Sequence, residues 1–271
     1  MRMAVLVKQV PATENIKIDE KTGTMIREGV EAELNPLDLH AVEEAVRLKE
    51  RFGGEITVIS MGPPAARRAI ASAIAMGCDR GFLISDRKFA GSDTLATSLT
   101  LAAGVRKAGE FDVILAGERA TDGETGQVGP AVGRYLGASV FTYVSKIASV
   151  EGERIVVERA VEGGHETVAA PLPALLCVVK EINGPRLCTL AGKMRARRTE
   201  IPLLDAASLG IPEGKLGLNG SPTKVVRVMY PQITRNGKIF SAADDPDSAV
   251  RAVFDLLRER GAIEEATSDV R

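Results

Sequence analysis

Apolar and polar positions follow one pattern in the first half of this chain and another after about residue 139. The runs "MAVLVKQ" (3–9), "EITVIS" (55–60), "GFLIS" (81–85) and "FDVILA" (111–116) are nearly continuous in apolar residues. Such runs suit parallel strands that are covered on both faces. Helical spacing fills the gaps between them. Asn35-Pro36 is a start signal, because Asn caps and Pro at the first helical position lacks only a donor that would be orphaned anyway. The segment that follows, "LDLHAVEEAVRLKERF", sets Leu37, Ala41, Ala45, Val46 and Leu48 on one stripe and stops at Gly53-Gly54. "PAARRAIASAIAMG" and "SDTLATSLTLAAGVRKAG" repeat the pattern, the second capped by Ser92 or Asp93. Repeated βα units predict an α/β fold, a doubly wound parallel sheet with right-handed crossovers.

From Ser139 the runs "SVFTYVSKIA", "ERIVVERAV", "GHETVAA" and "PALLCVVKEI" are spaced as an added antiparallel portion, with tight turns at "EGE" and "EGG". A polar, basic stretch follows, "NGPRLCTLAGKMRARRTEIP", and then a segment punctuated by Leu, Gly and Pro to about Pro222. "TKVVRVMYP" resembles one more strand, and "DPDSAVRAVFDLLRER" a capped amphipathic helix. Residues 1–200 read as one globular α/β body. Residues 201–271 read as a linker and C-terminal arm that packs on another chain, since a long structureless stretch is unusual inside a compact domain.

Composition removes several function classes. The 35 Lys and Arg residues nearly balance 36 Asp and Glu, leaving no electrostatic footprint for nucleic acid or an anionic membrane. No run approaches the length of a membrane span, and "MRMAVLVKQVPATEN" lacks the apolar stretch of a signal peptide. Cys78, Cys177 and Cys188 fit neither a zinc site nor a disulfide frame, and His40 and His165 are far apart in sequence, so no metal site is expected. A soluble protein of a reducing cytoplasm is the expectation.

The candidate chemistry lies in "GERATDGETGQVG" (117–129), which opens directly from "FDVILA". In an open α/β sheet, ligands bind at the carboxyl ends of strands near the point where strand order reverses. Gly123, Gly126 and Gly129 would let backbone N–H groups approach an anion, Thr121, Thr125 and Gln127 could donate to phosphate oxygens, and "GQVGPAVGRYLG" can supply a helix N-terminus. The alternative is a solvated turn, for which Asp122-Gly123 is a common choice. There is no GxGxxG after the first strand and no GxxxxGK[ST]. Lys8 and Met61-Gly62-Pro63 end strands on the same edge and would complete a slot for an adenosine. Lys8 also reads as a solvated strand end and Met61 as a core residue. "SDRKFAGSDTLATS" adds a third polar loop, whose Ser92, Thr94 and Thr97 either cap a helix or face a second phosphate.

At this point five separated blocks resemble electron transfer flavoprotein β subunits. They are "VLVKQV", "NPLDLHAVEEAVRLKE", "MG" with "AIAMGCDRG", "AGERATDGETGQVGP" and "NGPRLCTLAGKMRARRTEI"; they stand in the family's order between residues 5 and 201, and the resemblance covers the whole chain. The resemblance implies a heterodimer with an α subunit that carries one FAD, and a nucleotide in the slot of the β subunit. Carried onto this sequence, the contacts are Leu6, Val7 and Lys8, then Asn35, Pro36, Leu37 and Asp38, then Met61 and Gly62. The glycine loop adds Gly117, Arg119, Thr121, Asp122, Gly123, Glu124, Thr125, Gly126, Gln127 and Val128. Arg119 stands where the family usually has Gln, and Leu37 where an aromatic is frequent.

Family members hold either a structural AMP here, serving acyl-CoA dehydrogenases, or a full FAD that takes hydride from NADH and splits the electrons. "DEKTGTMIREGV" and "SDRKFAGSDTLATS" look like the second, bifurcating kind, with Arg87, Ser92, Thr94 and Thr97 as further FAD contacts. The resemblance then implies electron delivery through the α-subunit FAD to a dehydrogenase or quinone oxidoreductase, and to ferredoxin or flavodoxin. No side chain is assigned as a catalytic acid or base, because the flavin carries the chemistry. The family's docking loop presents an exposed leucine to partner dehydrogenases, and Leu190 is the matching position. Its other reading is a small local core. A stand-alone adenine-nucleotide-binding regulator of the universal stress kind shares the βα pattern but is shorter than this chain.

Overall fold

The computed structural model describes residues 1–12, 31–226, 237, 239, 241, 243 and 245–263. Its elements in chain order begin with β1 (Arg2–Leu6), β2 (Gln9–Pro11), β3 (Ala32–Leu34), α1 (Pro36–Phe52), β4 (Glu55–Met61) and α2 (Arg67–Met76). Next come β5 (Arg80–Ile84), α3 (Thr94–Ala108), β6 (Val113–Gly117), α4 (Val128–Leu136), β7 (Ser139–Glu151) and β8 (Arg154–Val161). The remainder are β9 (Gly164–Pro171), β10 (Ala174–Val178), α5 (Leu190–Arg198), β11 (Leu203–Leu204), α6 (Ala206–Leu209) and α7 (Pro246–Glu259).

Nine strands form one sheet in the order β11-β5-β4-β1-β6-β10-β7-β8-β9, and β2 pairs with β3 separately. Every pairing from β11 to β7 is parallel, while β7, β8 and β9 are antiparallel. This is the expected doubly wound sheet. The continuous apolar runs explain it, since alternate residues of β1 enter different cores. Met3 and Val5 pack with Ala41, Ala45, Ile70 and Ile74 of α1 and α2. Ala4 and Leu6 pack with Leu101 and Val105 of α3 and Val132 of α4.

One strand departs from the sequence reading. Its spacing groups "PALLCVV" with the antiparallel portion, but β10 lies parallel between β6 and β7. All five of its residues are buried. A run with no polar alternation can be satisfied only where both faces are covered, which is the middle of the sheet and not its margin. The turns at "EGE" and "EGG" do join β7 to β8 and β8 to β9.

Two compact units divide the chain, Met1–Val228 and Met229–Arg271. The stretch read as a linker from residue 201 is thus tied into the first unit for some distance. Leu83 N–H donates to the Pro202 carbonyl and Ser85 N–H to that of Leu204, which adds β11 to the sheet edge. Asp93 N–H donates to Ser221 Oγ, and the Asp93 carboxylate accepts from Thr223 N–H and hydroxyl. Of the strand expected over "TKVVRVMYP", Thr223–Val226 is irregular and the rest lies outside the described residues. In the second unit α7 is capped by the Asp245 carboxylate, which accepts from Ser248 N–H, and Pro246 opens the helix as expected. Among the described residues no helix is long and apolar enough to cross a membrane.

The closest helix contact constrains the basic segment. A Cβ added at Gly192 would overlap the Ala75 carbonyl oxygen, so α5 lies with its backbone against the end of α2. Gly192→Ala should therefore force the helices apart and lower stability by ~1–3 kcal/mol, read as a fall in thermal midpoint by circular dichroism. An unchanged midpoint would mean that α5 is not held at this distance.

Candidate functional site

Strand order reverses at β1, because the chain runs outward through β4 and β5 and then returns to place β6 on the other side of β1. The carboxyl ends of β1 and β6 are neighbours there, with Leu6 opposite Ala116. A cleft of about 1320 Å³ opens along that edge. Its walls come from the segments after β1, β4, β5 and β6, together with Gln9–Pro11 and Glu31–Ala32 at the β2–β3 pair.

The N-terminal turn of α1 builds the crevice from behind. The Asn35 side chain makes no cap on its own helix. It is fully buried and reaches across to the glycine loop instead. Its Nδ2 donates to the Arg119 carbonyl at 2.9 Å, and its Oδ1 accepts from Thr121 N–H at 3.2 Å. One turn on, Asp38 accepts from Lys8 N–H at 2.8 Å and from Gly117 N–H at 3.2 Å. Gly117 is required for this approach, since a Cβ there would stand 2.5 Å from Asp38 Oδ1. Two side chains thus join the ends of β1 and β6. At the front, Lys8 Nζ donates to Asp122 Oδ1 at 2.6 Å and ties the loop back to β1.

The loop itself turns on Ala120, whose carbonyl accepts from Gly123 N–H and Glu124 N–H. Glu124 (φ 51) and Gly126 (φ 63) take left-handed backbone conformations, which Gly126 adopts freely and Glu124 only under constraint. Among the described residues, the N–H groups of Thr125, Gly126, Val128 and Gly129 find no acceptor. They stand at the N-terminus of α4, where the helix dipole favours an anion.

The cleft brings together Leu6, Val7, Lys8, Asp38, Met61 and Gly62 with Gly117, Arg119 and Asp122 through Val128. Arg87, Ser92, Thr94 and Thr97 line it as well, and the start of α3 lies beside that of α4, where the Ser98 hydroxyl reaches the carbonyls of both Thr94 and Val128. Ser92 does not cap α3; its hydroxyl donates to the Phe89 carbonyl, while Asp93 accepts from Leu95 N–H and Ala96 N–H. Asn35, Pro36, Leu37 and Thr121 do not line the cleft, and the Thr121 N–H is taken by Asn35. Leu190 is remote from it, at the first residue of α5, and is 76% exposed. The "DEKTGTMIREGV" segment lies outside the described residues. Sequence reasoning missed Arg68, Gln9 and Leu203 in the lining. Arg68 was signalled by "PAARRAIAS", a basic pair opening a helix beside Met61-Gly62. The β2–β3 pair and β11 are too short to leave a periodic signal.

Burial pushes the Asp38 carboxyl up to about 7, against the opposing pull of its hydrogen bonds from Asn35, Lys8 and Gly117. The folded protein thus holds a proton there that the unfolded chain releases near its ordinary value of 3.8. This residue's contribution to stability is fully present below about pH 4 and is lost as pH rises through about 7. Asp38→Asn should lower the thermal midpoint, because an amide N–H₂ would face a backbone N–H and leave a buried donor unpaired at a cost of ~1–3 kcal/mol. The gap between wild type and variant should shrink from about pH 5 to pH 8, measured by thermal denaturation. A gap that widens over that range would reverse the assigned titration.

Residues 22–209 match the electron transfer flavoprotein domain. The chain is 42% identical over 264 residues to the electron transfer flavoprotein subunit beta of Thermoanaerobacterium thermosaccharolyticum, covering 97% of this chain and 100% of that one. It is 44% identical over 242 residues to the caffeyl-CoA reductase-Etf complex subunit CarD of Acetobacterium woodii, covering 89% and 92%. Against protein FixA of Azorhizobium caulinodans it is 43% identical over 264 residues, covering 94% of each. A nucleotide-sized cleft at the switch point of a doubly wound sheet accords with these likenesses, and the chain belongs to the electron transfer flavoprotein family, among its β subunits.

Proposed function

We propose that this chain pairs with an electron transfer flavoprotein α subunit and holds a full FAD in the cleft at the ends of β1 and β6. The observation that carries the reading is the size of the cleft. At about 1320 Å³ it exceeds the roughly 300–1,000 Å³ usual for a small-molecule site, and its lining includes Arg87, Ser92, Thr94 and Thr97 besides the glycine loop. Four cationic side chains stand among its carboxylates; Lys8 is paired with Asp122 and Arg119 with Glu118, so Arg68 and Arg87 would be the ones to meet a pyrophosphate. The free N–H groups at the start of α4 would take phosphate oxygens, and Met61 and Val128 would cover apolar ring surface.

The chemistry supplied by bound FAD is acceptance of hydride from NADH and one-electron release, toward the α-subunit FAD with a dehydrogenase or quinone oxidoreductase beyond it, and toward ferredoxin or flavodoxin. The residues of this chain bind and orient. Asn35 and Asp38 hold the two loops at a fixed separation, and the left-handed turns at Glu124 and Gly126 aim the loop N–H groups. The CarD relative is a subunit of a caffeyl-CoA reductase-Etf complex, which fits a β subunit working beside a reductase. A structural AMP with acyl-CoA dehydrogenase partners is the second reading. It is favoured by the unpaired N–H groups at the start of α4, which would serve a single phosphate without the residues after β5.

Two surfaces complete the proposal. Val250, Val253, Phe254 and Leu257 recur at helical spacing on α7 and are exposed, so the arm beyond Val228 would dock this face on the α subunit. The exposed Leu190 would anchor a partner dehydrogenase. Cys78 and Cys177 are buried, with burial pushing both thiols up to about 12, which suits inert cysteines of a reducing cytoplasm.

Purified with its α subunit, the heterodimer should release two FAD and no AMP on denaturation and chromatography. One AMP per heterodimer would select the second reading, and a colourless complex that releases ATP would remove both.

Gly126→Val should abolish nucleotide retention on this subunit, because a branched side chain is strained at φ 63 and would stand where an anion approaches. The thermal midpoint without nucleotide should fall by no more than the ~1–3 kcal/mol of that backbone strain, since the loop is at the surface and the core is untouched. Full retention by the variant would put the phosphates elsewhere.

A further inference from the structure

Helix α1 carries a second set of polar contacts, beyond its first turn, that nucleotide binding does not use. They face the segment between β10 and α5, which has no regular structure beyond one helical turn at Lys180–Ile182. Asn183 Nδ2 donates to the His40 carbonyl at 3.0 Å and to Glu44 Oε2 at 2.9 Å. The His40 ring, through Nδ1, lies 3.0 Å from the Asn183 carbonyl. Three residues on, the Arg186 guanidinium divides between two carboxylates. It donates to Glu43 at 2.7 and 3.2 Å and to Glu50 at 2.6 and 3.0 Å, and its backbone N–H donates to Glu43 as well.

Glu43 is buried, and burial alone would raise its carboxyl. The hydrogen bonds from Arg186 and Arg47 outweigh that and hold it below the usual carboxylate range. A buried ion pair is weak support for stability, because desolvation consumes most of the attraction and an apolar contact of the same volume serves as well. What such a pair does provide is direction, since a guanidinium donates in a rigid plane and its two bidentate contacts fix both position and orientation.

The segment so fixed ends in two large apolar side chains that stand in solvent, Leu187 at 91% exposure and Leu190 at 76%. A loose chain bearing such residues would collapse them against the nearest apolar surface. The clasp prevents this, because Arg186 immediately precedes Leu187. We propose that Arg186, assisted by Asn183, is a positioning residue for partner docking, holding the 183–190 segment on α1 so that Leu187 and Leu190 are presented as anchors before the partner arrives. The inference rests on the docking reading of Leu190.

Pre-organisation lowers the ordering cost of binding and leaves chemistry untouched, so its loss has a kinetic signature. The test uses the complete heterodimer with the dehydrogenase or quinone oxidoreductase of the same organism that accepts its electrons as the redox partner, comparing Arg186→Gln, Glu50→Gln and Leu190→Ala. Arg186→Gln should raise the partner KM about 3- to 10-fold, leave kcat and flavin content near wild type, and speed amide hydrogen exchange across residues 183–190. Glu50→Gln removes one exposed arm of the fork and should shift the same quantities less. Arg186→Lys should recover only part of the loss, because an ammonium cannot fork between two carboxylates. If Leu190→Ala raises KM while Arg186→Gln and Glu50→Gln do not, docking stands and the clasp is merely structural. If Leu190→Ala also leaves KM unchanged, the docking reading falls and takes this proposal with it. Should Arg186→Gln fail to fold, Glu50→Gln and Asn183→Ala decide by the same readouts.

Discussion

The contact on which the cleft depends is the buried junction of Asn35 and Asp38 with the ends of β1 and β6. Parallel strands that end side by side leave their next N–H groups pointing into a crevice, and those donors need acceptors away from water. The Asp38 carboxylate satisfies two of them, on Lys8 and Gly117, and Asn35 satisfies a donor and an acceptor of the glycine loop at once. An aspartate and an asparagine on one helical turn thus replace the hydrogen bonds that a continuing strand would have made. Without them the loop would have no fixed relation to β1. The requirement also explains why Gly117 has no side chain, because the helix terminus occupies that space.

The loop after β5, which also lines the cleft, is assembled by the same kind of economy. One carboxylate of Asp93 caps α3 with Oδ1 and holds Thr223 with Oδ2. Asp86 similarly accepts from Lys88 N–H and from Ala206 N–H, which keeps it below the usual carboxylate range. The segment from β11 to Ser221 is therefore a strap over the loop after β5. Its attachment is polar and backbone-mediated, with Leu216 and Ala206 adding buried apolar contacts. Asp38, Asp86 and Asp93 thus each satisfy donors from two segments distant in sequence.

This division of labour decides what could be read from the sequence. The parallel strands, their helices and the glycine loop were legible, because continuous apolar runs and 3.6-residue stripes are local signals. Asn35 was legible as a helix start but not as a bridge, since its partners lie 84 and 86 residues away. The strap was mistaken for a linker because its anchors, Asp93, Ser221 and Thr223, are residue types that favour loops on composition alone. The misplacement of β10 is different in kind. Its unbroken "ALLCV" carried the signal for a central strand, but neighbours in sequence with clear alternation drew it to the margin. Leu190 became a candidate only through likeness to a family; exposure, a property of the folded chain, is what distinguishes it from a core leucine.

Helix α1 connects these observations. At ~1.5 Å per residue its 17 residues extend about 25 Å. Its first turn fixes the loops of the proposed nucleotide site, and positions 40, 43, 44 and 50 fix the segment that bears Leu187 and Leu190. A hydrogen-bonded helix packed on a sheet is far stiffer than the loops at either end, so both loops inherit their mutual placement from one rod. A redox protein needs a partner's cofactor brought to a constant distance from its own, while the contact itself must stay small enough to release. Attaching the loops of the proposed nucleotide site and the proposed docking segment to the same helix would meet both needs. The interface could then be limited to a few apolar side chains, because the register between dock and cleft would be set inside the subunit and need not be found anew in each encounter.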